Sequence, residues 1–171
     1  NYIVNFYKYF NLNNIDYFVF ELCKGIELFE YITVYEQLVE SQAKKIIKML
    51  LTSISFLHNL KLVHRDIKPE NIIVEYNANN LDIVKNIKII DFGLAKYLNN
   101  DLNTRMNTKL GTPYYMSPEI LKRDYNYLCD TWSIGIIFYI LLAGYPPFNA
   151  RTDDEIIKKI KDNKLRFYKT E

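Results

Sequence analysis

Apolar residues along this chain fall into runs with two different periods. Ile3 to Tyr9 and Tyr17 to Leu22 are aromatic and β-branched, and Asn11-Leu12-Asn13-Asn14 separates them. This predicts two strands joined by a polar turn and paired antiparallel. Two strands alone are marginal in water, so they need further partners. After Gly25 the period changes. Leu28, Phe29 and Ile32 predict a short helix. Ala43, Ile46, Ile47, Leu50, Leu51, Ile54 and Leu57 then recur at spacings of three and four, the stripe of a long amphipathic helix ending near Asn59, with Lys44, Lys45 and Lys48 on its other face. A short apolar run, Leu62-Val63, follows.

Ile72 to Glu75 and Ile87 to Ile90 predict a short hairpin whose enlarged loop is Asn77 to Asn86. Residues 94–118 hold no lasting period and read as a long loop, which in a compact domain usually has a function. Asp130 to Leu142 places apolar residues on every side of a helical wheel, predicting a helix buried all round. Gly144 and Pro146-Pro147 stop it. Thr152 and Glu155 then form a capping box ahead of Ile156, Ile157 and Ile160, a short surface helix. No internal repeat occurs, and the polar sequence up to Glu171 adds no closing core element.

Composition narrows the function classes. The 171 residues are 49% hydrophobic and 25% charged, which excludes wholesale disorder. Lys plus Arg number 22 against 20 Asp plus Glu, so bulk charge supports neither a nucleic-acid nor a membrane-surface binder. Cys23 and Cys129 stand far apart and only 2 His are present, too few for a structural zinc site. One long disulfide and two free thiols both fit this spacing, free thiols being the commoner case. The first residues lack a signal-peptide pattern, and the most apolar stretch, Trp132 to Ala143, is too short to span a bilayer. Asn-rich stretches at Asn77 to Asn80 and Asn99 to Asn107 read as exposed loops.

The candidate chemistry sits in three places. In His64-Arg65-Asp66-Ile67-Lys68-Pro69-Glu70-Asn71, one loop offers a carboxylate, an ammonium and an amide. Phosphoryl transfer needs those groups near the attacking hydroxyl, the transferred phosphoryl group and Mg²⁺. Asp91-Phe92-Gly93 follows a strand, where a carboxylate suits a hard metal ion and Gly93 permits unusual backbone geometry. Gly111-Thr112-Pro113-Tyr114-Tyr115-Met116-Ser117-Pro118-Glu119 closes the long loop.

Together these segments, with Asp130-Thr131-Trp132-Ser133-Ile134-Gly135 after them, resemble the protein kinase family, and the resemblance extends over essentially the whole chain. It implies an α+β, bilobal kinase fold, here the end of the small lobe (residues 1–22, with the start of the hinge) and most of the mainly helical large lobe (residues 23–171). It implies ATP and Mg²⁺ as cofactors. Asp66 matches the aspartate that orients the acceptor hydroxyl, Lys68 the lysine at the γ-phosphoryl, and Thr112 the threonine contacting both. Asn71 and Asp91 match the metal ligands. Phe20 falls at the gatekeeper position before the hinge residues Glu21 and Leu22, and with Glu27, Asn71 and Asp91 these are the expected nucleotide neighbours. His64 and Phe92 match members of the internal hydrophobic spine, His64 packing rather than reacting. His58 reads as an ordinary helix-end residue. Gly93, Glu119, Asp130 and Trp132 are structural matches, the arginine partner of Glu119 being expected beyond Glu171. Ser117 stands where the family has alanine.

The same resemblance implies regulation and substrate class. Thr108 lies at the activating phosphorylation position, with Arg65 as the phosphate's partner and Thr104 as the competing site. An upstream kinase or autophosphorylation is the implied source. Gly25-Ile26-Glu27-Leu28-Phe29 and Tyr139 to Phe148 resemble the calcium/calmodulin-regulated and calcium-dependent kinases. Glu27 and Glu70 match carboxylates that read arginine three and two residues before the acceptor, while Ile140 replaces a second carboxylate. The implied activity is a Ser/Thr kinase acting in the cytoplasm on basic protein substrates. Any calcium control or membrane anchor would lie outside the chain, which also lacks the Gly-rich loop and small-lobe lysine and is therefore expected to be inactive alone. A pseudokinase or scaffold is the first alternative, though the four catalytic matches are intact. A small-molecule phosphotransferase is the second, and it would not need Gly111 to Glu119.

Overall fold

A computed structural model describes residues 2–77, 80–99, 101–162 and 165, with the side chains of residues 80–83 excepted. Strands β1 (Phe6–Leu12) and β2 (Ile15–Phe20) form an antiparallel hairpin. Asn13 and Asn14 turn it with φ of 53° and 60°, the positive values a two-residue hairpin turn demands and asparagine tolerates. The first strand starts later than its apolar run. Ile3 instead bridges Ile89 in parallel, because the backbone of Tyr2 and Val4 bonds to Ile89.

Strand β3 (Ile26–Glu27) leads into α1 (Leu28–Tyr35), and α2 (Glu40–Asn59) ends where its pattern stops. Its buried stripe includes Ala43, Ile46, Met49, Leu50, Ile54 and Leu57. Leu51 lies off that stripe, 45% exposed. Of the opposite-face lysines, Lys45 reaches the carbonyl of Val84 at 2.5 Å. Strand β4 (Leu62–Val63) pairs with β7 (Lys96–Tyr97), and β3, β5 (Ile72–Asn77) and β6 (Asn80–Ile89) form an antiparallel sheet.

The loop expected over residues 77–86 is largely strand. β6 begins at Asn80 and absorbs the extra length as register shifts at Glu75, Tyr76 and Asn77. Ala78 and Asn79, within the Asn-rich stretch read as a loop, lie outside the described residues, as do Asn100 and the chain end around Glu171.

Short helix α3 (Pro118–Leu121) is capped by the Ser117 hydroxyl, which accepts from the Ile120 N–H. Helix α4 (Leu128–Ala143) buries Ile134, Ile136, Ile137 and Ile140. Isoleucine gives up at most about 0.7 kcal/mol of helix propensity, whereas burial returns roughly 1.5–3 kcal/mol per side chain, so packing decides. The helix is not buried all round: Thr131, Gly135 and Leu142 are exposed along one stripe. Gly144 ends it at φ 79°, a left-handed cap that a side chain would oppose. Helix α5 (Asp153–Asp162) carries the predicted cap, the Glu155 N–H donating to Thr152 Oγ1 at 3.3 Å.

One core joins α1, α2, β5, β6 and α4. A second gathers Val63, Leu98, Met106, Met116, Ile120, Tyr125 and Cys129. Residues 94–118 are therefore anchored by Leu98 and Met106, 2% and 1% exposed, rather than loose. Cys23 and Cys129 are both free thiols. No helix among the described residues is long and apolar enough to cross a membrane.

Candidate active site

Residues 64–71 link β4 to β5, irregular up to a single 3-10 turn at Pro69–Asn71, and one buried carboxylate gives them shape. Asp130, 1% exposed in the first turn of α4, accepts the His64 N–H at 3.0 Å and the Arg65 N–H at 2.8 Å. His58 Nε2 donates to the same carboxylate at 2.9 Å. His58 is thus no ordinary helix-end residue: 7% exposed, it joins the end of α2 to α4. The helix dipole also favours a carboxylate at this end of α4. Arg65 takes φ 68° to make the turn.

The next side chains converge. Asn71 Nδ2 donates to Asp66 Oδ2 at 3.1 Å and to the Asp66 carbonyl at 2.9 Å. Lys68 Nζ stands 3.1 Å from the same Oδ2 and 3.3 Å from Thr112 Oγ1. Among the described residues Asp66 Oδ1 and Asn71 Oδ1 take no hydrogen bond. Gly111 passes so close that a Cβ there would meet the Arg65 carbonyl at 3.3 Å, and its φ of 110° suits glycine alone.

Asp91 joins through backbone, the Ile90 N–H donating to the Asn71 carbonyl at 2.9 Å. The unusual backbone falls on Asp91 (φ 57°) and not on Gly93, whose N–H instead donates to Asp91 Oδ1 at 2.9 Å. The Phe92 ring lies 4.9 Å from that of His64. His64 accepts the Asp66 N–H at Nδ1 and donates from Nε2 to the Ile90 carbonyl, each at 3.3 Å. It is fully buried, and that burial pushes its pKa down despite nearby Asp130.

The hinge candidates sit at the end of β2. Phe20 is 45% exposed against Phe6, and Leu22 is 90% exposed. Glu21 pairs with Lys88 of β6 at 2.5 Å and accepts from Asn5 at 2.7 Å. The Lys88 ammonium holds its carboxyl below the usual range. That ion pair fastens the hinge candidates to the strand leading to Asp91.

Beyond Thr112 opens a groove of about 770 Å³ whose walls include Phe29, Glu36, Glu70, Tyr114 and Ile140. Glu70 Oε2 is buried with no hydrogen-bond donor among the described residues. Its charge, after burial, helps push the Tyr115 hydroxyl up. Glu27 is not among these walls: it pairs with Ile73 in β3 and leads into α1. Glu36 is a second carboxylate in the groove that the sequence pattern did not single out.

Arg65 and Thr108 are brought near each other by Tyr125, also unforeseen. Thr108 and Thr104 are exposed, and Tyr125 donates to the Thr108 carbonyl at 2.9 Å. Glu119 is exposed in α3 and forms no ion pair among the described residues. The Trp132 ring stacks 6.2 Å from that of Phe148 at 6°, its Nε1 buried with no acceptor among the described residues.

The amino-acid sequence matches the protein kinase domain over residues 1–171, and the chain belongs to the protein kinase family. Over 151 residues it is 45% identical to calcium-dependent protein kinase 3 of Plasmodium yoelii yoelii, a match covering 88% of this chain and 27% of that protein. Over 165 residues it is 42% identical to calcium-dependent protein kinase 5 of Plasmodium falciparum (isolate 3D7), covering 96% and 28% respectively. The chain therefore spans less than a third of the length of these curated relatives.

Replacing Asp130 by Ala is expected to cost roughly 1–3 kcal/mol for each buried donor left stranded, read from denaturant unfolding of the full-length protein. His64 gives a pH signature. Its depressed pKa means that below about pH 6.5 the folded state binds fewer protons than the unfolded chain, so stability rises with pH there and is lost as pH falls. In H64F the fall in urea midpoint between about pH 7.5 and about pH 5.5 should shrink. An unchanged fall would assign the effect to other groups.

Proposed function

We propose that this chain is the catalytic part of an ATP- and Mg²⁺-dependent Ser/Thr protein kinase acting on basic protein substrates. One observation carries the reading: Asn71 and Lys68 both engage Oδ2 of Asp66, while Thr112 holds Lys68 and Ile90 ties Asn71 to Asp91. That unit leaves Asp66 Oδ1 to orient an acceptor hydroxyl and take its proton. Lys68, fixed between Asp66 and Thr112, places its ammonium where negative charge develops during transfer. Intact chemistry of this kind argues against the pseudokinase alternative. The ordered Gly111 to Glu119 segment beside a groove suits a peptide rather than a small-molecule acceptor.

The metal-binding candidates fit a hard cation. Asn71 spends its amide N–H groups on Asp66 and so offers Oδ1, and Asp91 spends Oδ1 on the Gly93 N–H and so offers Oδ2. Among the described residues no three His, Cys, Asp or Glu side chains gather into a metal site. Two oxygens of the chain completed by phosphate and water are the usual share for Mg²⁺. Bound Mg-ATP supplies the transferable phosphoryl group and neutralises its charge. Phe20, Glu21 and Leu22 would flank the base. The Glu21 N–H is already given to Asn5, which leaves its carbonyl to the adenine.

Glu27 reads arginine three residues before the acceptor, and Glu70 reads the second more weakly because Ile140 supplies no carboxylate. The relatives' names carry over the proposal of calcium control, exerted from outside these residues; a cytoplasmic location belongs to the same reading. Residues 1–171 alone, without a Gly-rich loop or its lysine, would not turn over.

The test is a peptide kinase assay on the full-length protein with Mg-ATP, with and without Ca²⁺. Asp66→Asn should lower kcat by about 10²–10⁴-fold; undiminished activity would remove Asp66 from the chemistry. In a positional peptide scan, E27Q should erase selection for arginine at the third upstream position. Indifference of the wild type at that position would reject the substrate class.

A further inference from the structure

Tyr125 is 1% exposed, yet its hydroxyl stands where two functional segments meet. It donates to the Thr108 carbonyl at 2.9 Å, and Nη1 of Arg65 lies 3.5 Å from the same oxygen. Arg65 also donates from Nε to the Leu94 carbonyl at 2.7 Å. One guanidinium, adjacent in the chain to Asp66, therefore touches the start of the 94–118 segment directly and its far part through one phenol. Backbone bonds of 2.7 and 3.1 Å between Met106 and Tyr125 bring the strip alongside. Arg105 adds bonds to the Asp124 carboxylate and carbonyl, each at 2.5 Å. Burial pushes the Tyr125 hydroxyl pKa up, so it remains a neutral donor. The Thr108 side chain stays exposed while its carbonyl is held.

We propose that Tyr125 is a positioning residue: its hydroxyl couples the segment carrying Thr108 to Arg65, and thereby to Asp66, so that the segment keeps its working shape without a phosphate on Thr108. The proposal rests on the kinase reading above. A phosphate on Thr108 would then add a third partner for the Arg65 guanidinium rather than create the order.

The experiment uses the full-length protein treated with phosphatase, with the absence of phosphate on Thr108 checked by mass spectrometry. Wild type, Y125F, R65A and the double variant are compared. Dephosphorylated wild type should keep kcat within about threefold of the Thr108-phosphorylated form, as expected if the phosphate adds to an existing tether. Y125F should lose roughly threefold to tenfold in kcat, the span of one hydrogen bond, with KM for ATP unchanged. In the R65A background the Tyr125 change should have no further effect, which a purely structural tyrosine would not produce. Amide exchange in residues 105–110 should quicken in Y125F while that in α2 does not. Equal losses in both backgrounds, or a wild type active only when phosphorylated, would overturn the proposal. A wild type inert in both states would overturn the kinase reading instead.

Discussion

The carboxylate of Asp130 takes up the N–H groups of His64 and Arg65 together with the His58 ring, all inside the protein. A buried charge is tolerated only when its oxygens are satisfied, and here the donors that satisfy it are the backbone of the loop that bears the chemistry. Loop geometry thereby becomes part of core stability. The placing of Asp66, Lys68 and Asn71 starts here, because the two residues before Asp66 are fixed to the head of the central helix. The same carboxylate joins that helix to the end of α2, so the two main helices and the loop share one anchoring point.

From that point contacts run outward in short steps. Asn71 carries the arrangement to Ile90 and so to Asp91, and Lys68 carries it to Thr112. Arg65, turned to φ 68°, carries it to Leu94 and towards Tyr125. Each link is a hydrogen bond between residues far apart in sequence. The groove beyond Thr112 inherits its position from the same chain of contacts, with Glu70 one residue before Asn71.

Periodicity made the long elements legible. The α2 stripe predicted a helix to Asn59 and the structure ends it there. The cap at Thr152 and the stop at Gly144 were readable because they depend on local chemistry. Strands β3, β4 and β7 are two residues long, too short to carry a period, and exist only through their partners. β6 carries no legible strand period because its register shifts break the alternation opposite Tyr76. The motif residues of the site were visible as types and spacings. Their couplings through His58 and Tyr125 were not, since nothing local distinguishes a histidine that ends a helix from one that reaches Asp130. Backbone strain was misplaced for a similar reason. Glycine looked like the permissive residue, but the turn falls on Asp91, whose side chain compensates by binding the Gly93 N–H.

The β1–β2 hairpin is exposed at every position. With neither face buried, nothing in a core penalises a slipped register, so alignment rests on the two asparagines of its turn and on ring pairs such as Phe10–Tyr17 at 5.0 Å. Phe6, Tyr7 and Phe18 meanwhile present oily surface, each more than half exposed. A ribbon of this kind is adhesive towards its own copies. Expressed without a covering segment, these residues would govern solubility and self-association, and polar replacements on this ribbon are where a well-behaved preparation would begin.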